Sequence, residues 1–185
     1  MNKYFKNGFG LSLLVLMSLN SFSQKFACKG GQTSFFSETP MENIQAENTK
    51  VVSMIDPATG VIAVKMTIRD FEFPNKLMQE HFNENYLESE KYPTAVFSGK
   101  ILGDVDYDKD GTYPVTGQGN MIIHGVKKEI SLKGTLNISG DQLNLKAEYL
   151  IKPEDYRIEI PSLVITKIAE EISVKSNFTY TRLSK

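Results

Sequence analysis

Residues 115–139, VTGQGNMIIHGVKKEISLKGTLNIS, constrain the fold of this chain more than any other stretch. They form two arms of period-two alternation. In the first, Val115, Gly117, Gly119, Met121 and Ile123 share one phase, with Thr116, Gln118 and Asn120 on the other. In the second, Ile130, Leu132, Gly134, Leu136 and Ile138 alternate with Glu129, Ser131, Lys133, Thr135 and Asn137. Between them lies His124-Gly125-Val126-Lys127, a turn containing a glycine. Alternation on both arms of a short glycine turn specifies a β-hairpin. One apolar and one wet face place that hairpin in an antiparallel sheet with a single covered side.

The same rhythm runs through much of the chain. Thr33–Ser37 reads as part of a first strand, with Gly30-Gly31 as a bend or bulge before it. Residues 44–55 read as a second strand, and Asp56-Pro57-Ala58-Thr59-Gly60 as a hairpin turn. In residues 61–69, Ile62, Val64, Met66 and Ile68 alternate with Lys65, Thr67 and Arg69. Residues 74–90 break the pattern: Leu77, Met78, His81, Phe82 and Tyr86 fall at helical spacings behind Pro74. Pro93 returns the chain to extended structure, where Ala95, Phe97, Gly99 and Ile101 share a phase. Ser139-Gly140-Asp141 turns into residues 142–151, with Leu143, Leu145, Ala147, Tyr149 and Ile151 on one side. Residues 152–161 are irregular, and 163–168 read as a brief strand or bend. Ile172, Val174, Phe178 and Tyr180 mark a last strand ending near Leu183. Eight strands with mostly short connections and one helical insertion give an all-β fold, either an up-and-down barrel or a sandwich. The repeated hairpin connection favours an eight-stranded antiparallel barrel.

Composition narrows the function. With 41% hydrophobic and 23% charged residues the chain is not a disordered one. A net charge of -1 argues against a nucleic-acid binder, which carries a basic excess. A single cysteine, Cys28, excludes an intramolecular disulfide. The N-terminus has the form of a signal peptide: Lys3 and Lys6, an apolar run over residues 9–19, then Ser21-Phe22-Ser23. Cleavage is expected before Gln24, so residues 1–23 are read as the signal peptide and 24–185 as one exported domain, periplasmic or secreted. Lys25 stands where a lipid anchor at Cys28 would want an apolar residue. No later run has the length and apolarity of a transmembrane span. A homodimer is compatible with the sequence, which does not decide it.

Few residues suggest chemistry. Asp106-Tyr107-Asp108-Lys109-Asp110-Gly111 fits the opening of a calcium loop, yet the twelfth position is Gly117 in place of the closing glutamate, and a solvated turn uses the same residues. His81 and His124 are the only histidines and make no metal signature. No nucleophile elbow or phosphate loop is present, so no catalytic residue, metal or cofactor is assigned. The interior phase is the better candidate. Gly99, Gly117, Gly119 and Gly134 fall on it among Ile62, Val64, Met66, Ile68, Phe97, Met121, Ile123, Leu132, Leu136, Leu145 and Tyr149. Side chains missing at four positions leave room for an elongated apolar cavity, and a bulky residue at Gly119 is then expected to block it. The alternative is that the glycines ease the coiling of curved strands around a filled core.

Two stretches carry a family resemblance. GQGNMIIHGVKKEISL (residues 117–132) is similar to the G-x-L-T-I-x-G-V-T-K-x-V-x-L hairpin of the YceI-like family of exported, lipocalin-like proteins. HFNENYLESEKYPTAVF (residues 81–97) resembles its helix-to-strand segment ending in K-Y-P-x-x-x-F. The resemblance runs from about Phe71 to Leu136. Asp155-Tyr156-Arg157-Ile158 places Arg157 where the family's D-F-G-I has glycine. The resemblance implies an eight-stranded barrel with a helix, holding a long polyisoprenoid chain, and acting as a carrier with no catalytic residues. The expected partner is an apolar lipid such as a polyisoprenoid or quinone, with Tyr149, Tyr113 or Arg157 as candidates to meet its polar head. Two other classes stay open. One is a packed-core barrel that displays its helix and Asp-rich loop to a protein partner. The other is an enzyme acting on a lipid or sugar.

Overall fold

The computed structural model describes residues 24–38, 43–159 and 171–183. The segment read as a signal peptide and the brief strand expected over 163–168 lie outside the described residues. Eight strands form the wall: β1 (Phe26–Ser37), β2 (Ile44–Asp56), β3 (Val61–Thr67), β4 (Thr94–Leu102), β5 (Gly111–Ile123), β6 (Val126–Ser139), β7 (Gln142–Ile151) and β8 (Ile172–Arg182). Each pairs antiparallel with its neighbour in sequence, and β1 closes on β8. The result is a barrel, not a sandwich. Closure leaves no strand edge to template aggregation.

The hairpin read first from the sequence is β5–β6, and its turn is tighter than four residues. Val126 pairs with Ile123 and Lys127 with Ile122, so only His124 and Gly125 turn the chain. Both have positive φ, +51° and +72°, which matches the right-handed twist of the strands it joins. The Gly30-Gly31 bulge is present as two register shifts between Cys28 and Thr33. Gly31 is required there, because a Cβ on it would lie 2.4 Å from the Phe178 ring.

β3 ends at Thr67, two residues earlier than the alternation suggests. Ile68–Asp70 turns as a 3₁₀ segment, and the Ile68 amide donates to the Pro93 carbonyl at 2.9 Å. The chain then crosses the barrel rim. Glu72 exchanges two backbone hydrogen bonds with Glu47, which turns Phe71 and Phe73 inward. Asn75 caps α1 (Lys76–His81) by accepting from the amides of Leu77 and Met78 at 2.9 and 3.4 Å. The helix runs on as a π turn over Phe82–Tyr86.

The two ends of the barrel differ. The odd strands run toward the rim that carries α1. At the other end the interior is filled by Phe26, Ile55, Leu136, Ile138, Leu143 and Tyr180, all buried. Tyr180 and Ser53 share a hydrogen bond of 2.7 Å, which satisfies both hydroxyls in that core. The Asp-rich loop lies beneath. Asp106 accepts from the Asp108 amide, Asp108 pairs with Arg182 at 3.1 Å, and Asp110 accepts from the Gly140 amide. The three carboxylates therefore serve three separate protein contacts. Arg182 also stacks over Phe26, sealing this end.

Candidate functional site

Above the filled end lies an apolar cavity of about 400 Å³, within the range of small-molecule sites. Its wall combines the upper barrel with the rim crossing. Phe35, Phe71, Phe73 and Phe82 form one aromatic cluster, with ring centroids 5.0 to 5.8 Å apart. Phe82 comes from the helical insertion and the others from the barrel and its rim, so the cluster fastens the insertion over the opening. Leu77, Met78, His81 and Tyr86 complete the helical side of the lining. Asn75, Leu77 and His81 are exposed, so they stand where the cavity meets water.

Deeper in the barrel is a second, smaller void of about 50 Å³. Met66, Met121 and Tyr149 line both spaces. Of the residues read from the sequence, Ile68 and Ile123 join these three against the upper cavity. Ile62, Val64, Phe97, Gly117, Leu132, Gly134 and Leu145 line the lower void. Gly99, Gly119 and Leu136 line neither. Leu136 belongs to the filled end, fully buried. Gly99 and Gly119 face each other across β4 and β5, where a Cβ on either would lie 2.3 Å from a carbonyl oxygen of the facing strand. Those two glycines allow close backbone approach instead of opening space, so a bulky residue at Gly119 would break the pairing before it blocked a cavity.

The polar groups of the interior are few and linked. Thr33 Oγ1 and Ser176 Oγ lie 3.0 Å apart, and Tyr149 lines the same void as Ser176. Burial raises the Tyr149 phenol above its ordinary range, against the opposing effect of the Ser176 hydroxyl. Tyr149 sits deep in the barrel yet keeps accessible surface, because that surface faces the cavity. It therefore stands at the floor of the cavity, not at a mouth. Tyr113 is at the opposite end, donating to the Lys109 carbonyl at 2.9 Å. Arg157 ends the 3₁₀ turn Pro153–Tyr156 with φ of +53°, a left-handed conformation that explains why glycine suits this position.

Beside the rim, His124 ties three segments together. Its Nε2 lies 2.7 Å from Glu88 Oε2, its Nδ1 3.2 Å from the Tyr156 carbonyl oxygen, and its ring meets Tyr92 edge-on at 4.4 Å. Among the described residues no group of three or more His, Cys, Asp or Glu is placed to hold a metal ion.

The sequence reading missed the aromatic half of this cavity. Phe71-Glu72-Phe73 had the signal, a period-two pair of aromatics just beyond a strand. The helical face was read correctly, since Leu77, Met78, His81, Phe82 and Tyr86 all line the cavity. What its spacing does not reveal is that the face it presents meets a hollow.

The pattern of the YceI-like domain matches residues 22–180. Among curated proteins none matches significantly. Solved structures share the fold. A polyisoprenoid binding domain from Saccharophagus degradans is 15% identical, with a TM-score of 0.71 over 85% of this chain and 98% of its own. Burkholderia cenocepacia BcnA is 18% identical, with a TM-score of 0.67 over 80% and 95%. The YceI protein of Campylobacter jejuni is 16% identical, with a TM-score of 0.57 over the full length of both.

Proposed function

This chain belongs to the YceI-like family, and from that premise we propose that it is an exported, non-enzymatic carrier that shelters an apolar lipid, such as a polyisoprenoid or quinone, inside its barrel. The observation that carries the reading is the cavity itself. A packed-core barrel would fill its interior from end to end, whereas here only one end is filled. The lining is mostly apolar, so burial of a hydrocarbon chain supplies the affinity at roughly 25 cal/mol per Å² before association and ordering costs. The likeness in fold to a polyisoprenoid binding domain supports the same ligand class. Export rests on the N-terminal pattern of a basic, apolar and small-residue segment.

Mass spectrometry of the protein exported by its own host and purified without detergent tests both parts. Native spectra are expected to show a bound species that organic extraction identifies as a prenyl or fatty-chain lipid. The protein itself is expected to have the mass of a chain starting at Gln24. An apoprotein that also fails to take up added prenyl lipids would overturn the carrier reading, and an intact N-terminus would overturn the export reading.

A further inference from the structure

Two neighbouring cavities share three lining side chains, which poses the question of what that boundary is for. Met66 projects from β3, Met121 from β5 and Tyr149 from β7, and each lines both spaces. Their chemistry is unequal. Tyr149 is a rigid ring with only two side-chain torsions, and it lines the lower void beside Ser176, which is itself bonded to Thr33. The methionines have no such stiffness. Each is unbranched with three rotatable bonds, the side chain best suited to moving aside at low cost. Below them the space already exists in part. Gly117 contributes no side chain, and its missing Cβ would have the Phe97 ring 3.5 Å away, an ordinary contact distance.

We propose that Met66 and Met121 form a movable floor beside the fixed post of Tyr149, and that this floor determines how long an apolar chain the barrel accepts. A short chain fills the upper cavity with the methionines in place. A longer one displaces them and enters the void lined by Ile62, Val64 and Gly117. This inference rests on the carrier reading and adds the residues that select chain length. Depth matters steeply: each methylene gained or lost from burial changes affinity about fourfold.

The test is a ladder of linear prenols of increasing unit number, competing with 1-anilinonaphthalene-8-sulfonate for the intact mature protein. Met66→Ala and Met121→Ala lower the floor and are expected to move the affinity maximum to longer prenols. Gly117→Val fills the lower void from the other side of the floor and is expected to move it to shorter ones, with at least a tenfold loss for the longest chain bound by wild type. Gly117→Val also keeps the test decisive if a methionine variant fails to fold. If wild type binds prenols but none of the folded variants shifts the maximum, the floor is overturned while the carrier reading stands. If wild type displaces no reporter with any prenol, the carrier reading fails and the floor fails with it.

Discussion

A glycine on the interior phase of a barrel strand has two physical meanings, and Gly117 and Gly119 show both within three residues. At Gly117 a Cβ meets the Phe97 ring at 3.5 Å and the Leu132 carbonyl oxygen at 3.9 Å, both ordinary contacts. At Gly119 it would lie 2.3 Å from the Ser98 carbonyl oxygen and 2.4 Å from the Gly99 Cα. Backbone cannot yield as a flexible side chain can. Gly119→Ala is therefore expected to lose about 2 kcal/mol, in the range of overpacked sites. Gly117→Ala should stay within about 0.5 kcal/mol of wild type. Urea titration of both variants checks this, and equal losses would show that the two positions are not distinct. The sequence could not separate them. Alternation tells which face a residue occupies, but not how near the facing strand comes.

Among the elements, the helical insertion sets the state of the cavity. α1 has only six residues, too short to persist alone, so it depends on its cap and on tertiary contacts. Asn75 supplies the first and Phe82 the second. Asn75→Ala should cost about 1 kcal/mol, the usual worth of such a cap. Because the helix also walls the cavity, the same change should speed release of a bound apolar probe. Stopped-flow dissociation beside urea denaturation separates the two effects. Unchanged release in a destabilised variant would place the helix outside the exit route. The existence of this helix was legible from the spacing of Leu77, Met78, His81, Phe82 and Tyr86. Its continuation as a π turn was not, since that follows from the Leu87 amide donating to the Phe82 carbonyl, a bond spacing alone does not foretell.

At the scale of the whole molecule, buried phenols make stability a function of alkaline pH. Burial pushes Tyr156 up to about 12, with Asp155 and Tyr149 adding to the effect. Tyr180 is raised further, again by burial and against its bond to Ser53. In the unfolded chain these phenols ionise near about 10. Between about 10 and 12 the native state thus holds protons that the unfolded state has lost, and stability must fall as pH rises. Below that window the contribution is complete. Urea midpoints are expected to be level up to about pH 9 and to drop steeply by pH 11. Tyr156→Phe should flatten the drop, and an undiminished slope in that variant would assign it elsewhere. The barrel was legible at this scale because alternating arms joined mostly by short turns leave few ways to arrange eight strands. A hollow was expected from the interior glycines, but its place was not legible, because that depends on where the rim crossing folds back over the opening.

The pairing of β1 with β8 sets the timing of assembly. Phe26 meets Arg182 only when the first and last strands come together, so the contact that completes the wall is also among the most distant in sequence. Until then β1 and β8 are both open edges, and the apolar interior faces water. Contacts of such long range make folding slow. Arg182 serves this seam and the seal beneath the barrel at once, through its stacking on Phe26 and its ion pair with Asp108. The residues that shut the lower end thus come from the first and last strands, and the wall stays unsealed in a chain still emerging from synthesis until its last strand arrives.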